Sequence, residues 1–128
     1  MTRDEILSAY HGYIACLNAR AWDDLHRFVG EGAIHNGAVI GLSGYRAMLE
    51  ADVRAIPDLS FTILQTACDP PLIAVELGFD CHPRGMLFGM AVNGRRLRFR
   101  ENVFYRFDEG RIVEVRSVID KDAIRAQI

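Results

Sequence analysis

The feature that most constrains the fold is a strict alternation of side chains near the end of the chain. In LRFRENVFYRF, residues 97–107, every second side chain is apolar except Glu101, and RIVEVRSVI, residues 111–119, follows a similar pattern. A period of two is typical of a strand that buries one face. Asp108 and Gly110 suit a short connection made of a type I turn and a glycine bulge. The pattern therefore predicts an antiparallel hairpin with one buried face.

The hairpin gives a provisional register. In this register Glu101 lies directly opposite Ser117. Val103 then lies opposite Val115, and the shared face is apolar except at Glu101 and Ser117. The other face carries Arg96, Arg98, Arg100, Asn102, Phe104 and Arg106, which meet Ile112, Glu114, Arg116, Val118 and Asp120. Because acidic residues of the preceding strand share that side, we expect an ion-paired outer surface or dimer face rather than an RNA-binding one.

Helical patterns precede the strands. Thr2 and Glu5 form a capping box for a first helix through about Leu17, and Ser43 is expected to cap a third helix that ends before Pro57. A short second helix and a short strand within AIHNGAVIG are expected between them. Four strand-like runs follow, LSFTILQTA, PLIAVELGFDC, RRLRFRENVFYRF and RIVEVRSVID, and then a short final helix. This order indicates one α+β domain over residues 1–128.

Composition excludes several classes of partner. A formal net charge of −2 provides no long-range attraction for nucleic acid or an anionic membrane. No apolar run approaches the length of about 20 residues that crosses a bilayer, and no secretion signal is recognisable, so we expect a cytoplasmic protein. The histidines and cysteines lack metal-ligand spacing, and the glycines after His82 lack the lysine of a phosphate loop. We therefore predict neither a metal nor a cofactor.

Glu101 is the most informative polar residue. An ionised carboxylate among Phe99, Val103 and Tyr105 costs several kcal/mol unless it is hydrogen-bonded, paired, solvated or protonated. Two interpretations remain open: a structural acid satisfied by Ser117, a tyrosine or a backbone amide, and an acid/base group with a raised pKa in a cleft. Asp120, at the end of the last strand, is instead assigned as the N-cap of the final helix.

Three stretches together, HNG, PDLSF and HPRGMLFGMAVNGRRLRFRENVFYRFDEGRIVEV, resemble the SnoaL-like polyketide cyclases, especially the branch of predicted ester cyclases. The similarity covers nearly the whole chain. It implies a cone-shaped α+β barrel of the nuclear-transport-factor-like superfamily, in which N-terminal helices pack on a strongly curved, mostly antiparallel sheet. It also implies a homodimer and a small-molecule substrate.

The resemblance also implies a chemistry. Members of the family close a ring by an intramolecular aldol condensation without metal or cofactor, and an aspartate that follows a tryptophan in the last strand acts as acid/base. Arg116 and Ser117 occupy the matching positions here. A hydroxyl without an activating partner is no general base near neutral pH. Glu101, placed opposite Ser117, is the substitute we predict.

The predicted site combines these arguments. Glu101 and His35 are assigned as catalytic, with His35 at a position where family members often place a pocket histidine. The predicted substrate-binding residues are Tyr10, Tyr13, Asn36, Phe79, Phe99, Val103 and Ser117. For the two tyrosines, core packing remains an alternative. Three functions stay open: a cyclase or isomerase acting on a small apolar carbonyl or ester compound, a binding protein that uses the same pocket, and a dimeric scaffold with a filled core.

Overall fold

The computed structural model describes all residues, 1–128, and the chain begins with the helix that its capping box predicts. Helix α1 spans Arg3–Asn18. Thr2 Oγ1 accepts the Glu5 N–H at 3.1 Å, and Glu5 Oε1 accepts the Thr2 N–H at 2.8 Å. Two otherwise unpaired amides of the first turn are thus satisfied. The face turned to the core carries Ile6, Tyr10, Tyr13, Ile14 and Leu17.

The remaining helices are a 3₁₀ helix at Trp22–Arg27, α2 at Gly41–Ala55 and α3 at Lys121–Arg125. The predicted Ser43 cap is wrong. Helix α2 starts earlier, without a side-chain cap, because Gly41 adopts a φ of 67° that turns the chain before Ser43 is reached. The predicted cap of α3 is confirmed, since Asp120 Oδ1 accepts the Ala123 N–H at 3.0 Å. None of the helices combines the length and the apolar character needed to cross a membrane.

Eight strands form a six-stranded sheet and a separate small hairpin. They are β1 (Val29–His35), β2 (Ala38–Val39), β3 (Thr62–Asp69), β4 (Leu72–Cys81), β5 (Met86–Leu87), β6 (Met90–Ala91), β7 (Leu97–Asp108) and β8 (Arg111–Ile119). The sheet order is β2-β1-β8-β7-β4-β3, and β5 pairs with β6. All neighbours are antiparallel except β1 and β8, which run parallel. The predicted α+β class and its mostly antiparallel sheet are confirmed.

The core lies between the helices and the inner face of the sheet. Helices α1, α2 and α3 and strands β1, β4, β7 and β8 contribute buried residues to one apolar cluster, and Ile63 of β3 packs against it. Ile6, Ile73, Leu97 and Ile112 are 0 % exposed. Because each strand buries alternate residues, the inner face determines which side chains can surround a ligand.

The register of the β7–β8 hairpin differs from the predicted one by two residues. Glu101 pairs with Ile119, and Val103, not Glu101, pairs with Ser117. The turn is a two-residue connection in which Glu109 and Gly110 both have positive φ, 49° and 83°, as in a type I′ turn. It replaces the predicted type I turn with a glycine bulge. A shift of two residues preserves the face of every side chain beyond the bulge, so Glu101 and Ser117 still share the inner face.

A bulge in β8 corrects a second prediction. Arg106 pairs with Glu114 but Phe107 pairs with Ile112, so one extra residue lies between the two pairs. The irregularity turns Ile112, predicted to point outward, into the core. The sequence pattern of β8 alone does not reveal this change, because Ile112 and Val113 are both apolar and either could face the core.

The outer face of the sheet is ion-paired, as predicted. Asp80 Oδ2 accepts a hydrogen bond from Arg96 Nη2 at 2.7 Å and lies 3.4 Å from Arg98 Nε. Arg100 lies 3.7 Å from Glu76 on the same face. The arginines thus form charged pairs across neighbouring strands, at distances that suit a solvated surface.

The bulge generates a stability prediction. Ile112→Ala should lower the free energy of unfolding by about 2–5 kcal/mol, because it leaves a cavity in a close-packed core. Val39→Ala is the matched control, since Val39 is 76 % exposed and its truncation should change stability by less than about 0.5 kcal/mol. Urea unfolding followed by circular dichroism measures both. Equal effects would contradict the inward position of Ile112.

Candidate active site

A cavity of about 280 Å³ lies between helices α1 and α2 and the inner face of the sheet. Of its 17 lining residues, 11 are hydrophobic. The six polar ones are His35, Asn36, Asp52, Glu101, Ser117 and Lys121. A small, mostly apolar enclosure with a few converging polar groups is typical of small-molecule sites, and its volume suits a compact ligand.

Glu101 points into this cavity from β7 and is held by Ser117. The Ser117 hydroxyl donates to Glu101 Oε2 at 2.5 Å, a diagonal contact across the β7–β8 pair. Burial raises the pKa of Glu101, the hydrogen bond from Ser117 lowers it, and the negative charge of Asp52 raises it further. Burial dominates, so the carboxyl group keeps its proton to a higher pH than an ordinary glutamate. The other oxygen, Oε1, accepts no hydrogen bond from the protein.

Asp52 is a second carboxylate of the cavity and was not among the predicted site residues. Its side chain accepts no hydrogen bond and forms no ion pair, and solvent reaches it at the cavity rim. Crowding by surrounding protein atoms still raises its pKa to about 6. A signal was present, because Tyr45, Leu49 and Asp52 recur at helical spacing and so share one face of α2.

His35 and Asn36 reach the cavity at the end of β1. Burial lowers the pKa of His35, so the imidazole is neutral near pH 7. Its ring meets Tyr45 edge-on, with centroids 6.5 Å apart. The Asn36 side chain accepts the Ser117 N–H at 2.8 Å and donates to the Ser117 carbonyl at 3.3 Å. Asn36 therefore positions Ser117, and its amide is already occupied by the backbone.

Two pairs of tyrosines stand beside the carboxylates. The hydroxyls of Tyr13 and Tyr45 lie 2.6 Å apart, and both side chains line the cavity. Tyr10 donates to the Tyr105 hydroxyl at 3.3 Å, and only Tyr105 of that pair reaches the cavity. The prediction that Tyr10 lines the pocket is corrected, because Tyr10 faces the core behind Tyr105. Burial raises the pKa of all four phenols, so they remain neutral hydrogen-bond donors.

The predicted apolar wall is partly corrected. Val103 lines the cavity, but Phe79 and Phe99 do not. Their rings stack on each other with centroids 5.1 Å apart, and Phe79 meets Phe61 edge-on at 5.6 Å. Phe61 is the ring of this group that reaches the cavity. The two predicted residues therefore pack next to Phe61, beside the cavity rather than along its wall.

The mouth of the cavity brings together elements that are distant in sequence. Phe88, at the tip of the β5–β6 hairpin, and Lys121, the first residue of α3, both line it. Lys121 Nζ lies 5.1 Å from the centroid of the Phe88 ring, a cation–π contact. No group of three or more histidine, cysteine, aspartate or glutamate side chains is gathered as metal ligands would be. The polar groups present are those of proton transfer and hydrogen bonding.

The sequence belongs to the family of SnoaL-like polyketide cyclases. The family model matches residues 7–128, which is nearly the whole chain and includes every residue of the cavity. This agrees with the resemblance seen in the sequence. A search of curated proteins found no significant match.

Solved structures share the same fold. A SnoaL-like polyketide cyclase from Agrobacterium tumefaciens strain C58 is 44% identical, with a TM-score of 0.92 over 93% of this chain and 94% of the other. TsrD from Streptomyces laurentii is 17% identical, with a TM-score of 0.87 over 99% and 96% of the two chains. IdmH from Streptomyces antibioticus is 17% identical, with a TM-score of 0.81 over 94% and 95%. The predicted cone-shaped fold is thereby confirmed.

The contacts of Glu101 predict opposite pKa changes in two variants. Ser117→Ala removes a hydrogen bond to the carboxylate and should raise the pKa of Glu101, whereas Asp52→Asn removes a neighbouring negative charge and should lower it. A carbon-detected NMR titration of isotopically labelled glutamate side chains measures both shifts. A shift of the same sign in the two variants would contradict the described surroundings of Glu101.

Proposed function

We propose that this protein is a cofactor-independent enzyme of the ester-cyclase branch, which performs acid/base chemistry on a small, mostly apolar carbonyl or ester compound. The reaction is an aldol-type ring closure or a related isomerisation. Glu101 is the acid/base and His35 the orienting group. The observation that carries the proposal is a carboxyl group of raised pKa that faces an apolar cavity of about 280 Å³.

The proposed reaction needs one proton shuttle. Ionised Glu101 removes a proton from the carbon next to a ligand carbonyl, and an enolate forms. The enolate carbon then attacks a second carbonyl of the same molecule, a carbon–carbon bond closes the ring, and the new alkoxide takes the proton back from Glu101. A raised pKa suits both halves of this cycle, because the group is basic enough to accept the proton and still returns it.

The enolate oxygen requires hydrogen-bond donors. Since Tyr13 and Tyr45 share one hydrogen bond, the accepting hydroxyl of the pair keeps its own proton for a ligand oxygen. Neutral His35 stands beside Tyr45 and can present an N–H to the same region. Donors that are held in place before the ligand arrives stabilise developing charge without reorganising.

Ser117 supports this assignment as a positioning residue. The aspartate that the family resemblance implies in the last strand is absent, and the serine hydroxyl donates to Glu101 instead of acting as a base. Because Asn36 holds the backbone of Ser117 from both sides, the hydroxyl and hence Glu101 Oε2 are fixed in direction. In this proposal the neighbouring strand β7 supplies the carboxylate, within hydrogen-bond distance of the Ser117 hydroxyl.

A binding protein without catalysis is the second proposal. The short bond from Ser117 occupies one oxygen of Glu101, as expected for a structural acid. The same cavity would then hold a ligand without turning it over. The open volume inside the domain does not match the filled core that a pure scaffold requires.

Hydrogen–deuterium exchange tests the enzyme proposal. β-Tetralone, a compact apolar ketone, is incubated with the protein in deuterated buffer, and loss of its C–H signals next to the carbonyl is followed by NMR. Wild type should accelerate exchange, and Glu101→Gln should reduce the enzymatic rate by at least about 100-fold, because a general base is lost. Glu50→Gln, a carboxylate outside the cavity, is the matched control.

The outcomes separate the two proposals. Exchange that survives Glu101→Gln would rule out Glu101 as the acid/base. Chemical-shift changes on adding β-tetralone, without accelerated exchange by the wild type, would favour the binding protein. Unchanged circular dichroism of Glu101→Gln would show that the fold is intact.

We also propose that the protein is a homodimer formed through the outer face of the sheet, with no nucleic-acid partner. Phe104 and Val118 are 57 % and 72 % exposed there, in diagonal positions on the paired strands β7 and β8. The surrounding arginines are engaged by acidic residues of the same face, which weakens attraction for a polyanion. Large exposed apolar side chains within a charged surface suit a protein partner.

Light scattering after size-exclusion chromatography tests the dimer. Wild type should elute as a dimer, and the double variant Phe104→Asp with Val118→Asp as a monomer, because four carboxylates would face one another across the interface. Val39→Asp, an exposed apolar residue of β2, should remain dimeric. A monomeric wild type would overturn this proposal.

A further inference from the structure

We propose that Lys121 is a specificity-determining residue, which binds a carboxylate group of the ligand at the mouth of the cavity. The inference deepens the proposed function and rests on its small-molecule cavity. It narrows the ligand class from an apolar carbonyl compound to one that carries a carboxylate in addition to its carbonyl.

The position of Lys121 is set by the end of the sheet. The Asp120 N–H donates to the Arg100 carbonyl at 3.0 Å, so the chain stays beside β7 up to the residue before Lys121. Asp120 then caps α3 and turns the chain away from the sheet. Lys121 is left at the rim, and its ammonium group lies over the ring of Phe88, which lines the same cavity.

Lys121 carries an ammonium group that no acid of the protein engages. No carboxylate lies within 4.0 Å of it, whereas most arginines of the outer face are ion-paired. The two acidic neighbours are already used, because Asp120 caps the backbone of α3 and Asp122 pairs with Arg125 at 2.6 Å. Lys121 is also the single lysine of the sequence. An unpaired positive charge at the mouth of the cavity favours a ligand that carries an anionic group.

The charges of the cavity orient such a ligand. Lys121 is the only positively charged group among the lining residues, since His35 is neutral near pH 7. Glu101 and Asp52 also line the cavity and would repel a ligand carboxylate. The carboxylate end therefore lies at Lys121 and the uncharged carbonyl end lies toward Glu101.

The arrangement at the end of β8 suits a small ligand. Ile119 pairs directly with Glu101, and Lys121 follows two residues later. Lys121 is the first residue of α3, just past the end of β8, and it lines the same cavity as Glu101. One molecule can therefore reach both groups within the observed cavity.

Phe88 restricts the conformations of the Lys121 side chain. The cation–π contact restricts a long side chain that would otherwise lose conformational freedom on binding. The ammonium hydrogens remain available to donate, because the ring attracts the positive charge but does not take the place of a carboxylate acceptor. The rigid position increases the discrimination that one surface charge can provide.

Two probes of the same shape test the inference. β-Naphthoate and its neutral analogue β-naphthamide are titrated into the full chain, and the Kd values are measured by calorimetry. Wild type should bind the carboxylate about fivefold more tightly than the amide, the advantage expected for one partly exposed ion pair. Lys121→Met should abolish this ratio. Arg95→Met, which removes an exposed arginine that has no ion pair, should preserve it.

A chemical labelling experiment tests the same inference on the wild-type protein. Reductive methylation with formaldehyde and cyanoborohydride modifies Lys121 and the α-amino group, which serves as the internal reference. β-Naphthoate should slow methylation of Lys121 relative to that reference, and β-naphthamide should slow it less. Mass spectrometry of the digested protein gives the two rates.

Each outcome decides the inference. Equal protection by the two probes, a ratio near one in the wild type, or no binding of β-naphthoate would overturn it. A carboxylate preference that is lost in Lys121→Met supports it, even where deuterium exchange of β-tetralone is absent and the catalytic proposal fails. Exchange that depends on Glu101 without any carboxylate preference would leave the catalytic proposal standing and overturn this inference alone.

Discussion

The pairing of β7 with β8 is the interaction on which the rest of the structure depends. These two strands occupy the middle of the sheet. β1 pairs with the free edge of β8, and β4 pairs with the free edge of β7. Their alternation sends Glu101 and Ser117 inward and the arginines outward. The end of β8 also places Lys121 beside the cavity. Core, charged surface and proposed site are therefore consequences of one register.

In the proposed site the fold buries a carboxyl group and compensates only part of the cost of its charge. Glu101 receives one hydrogen bond, which compensates only part of the loss of hydration, so its pKa stays raised. Asp52 adds to that effect from α2. Burial is the largest of the three effects on Glu101, and the charge of Asp52 is the smallest.

The sequence predicts the fold class and the face of most strand residues, because burial imposes a period that survives a register shift of two. It does not predict the bulge that buries Ile112, since that depends on how the turn at Gly110 closes. The inward position of Glu101 follows from its own strand. The presence of Asp52 requires knowing that α2 covers the same cavity, and the absence of Phe79 and Phe99 from the wall depends on where a curved sheet ends. These are properties of packing between elements, which no local pattern encodes.

The parallel pairing of β1 with β8 has a consequence for how the chain folds. His35 pairs with Val115, so about 80 residues must be synthesised before β1, which otherwise pairs only with the two-residue β2, can join the long strands of the sheet. During translation the apolar faces of α1 and β1 have no sheet to cover them, and native contacts of long sequence separation form slowly. The parallel contact between β1 and β8 therefore cannot form until the final strand has left the ribosome.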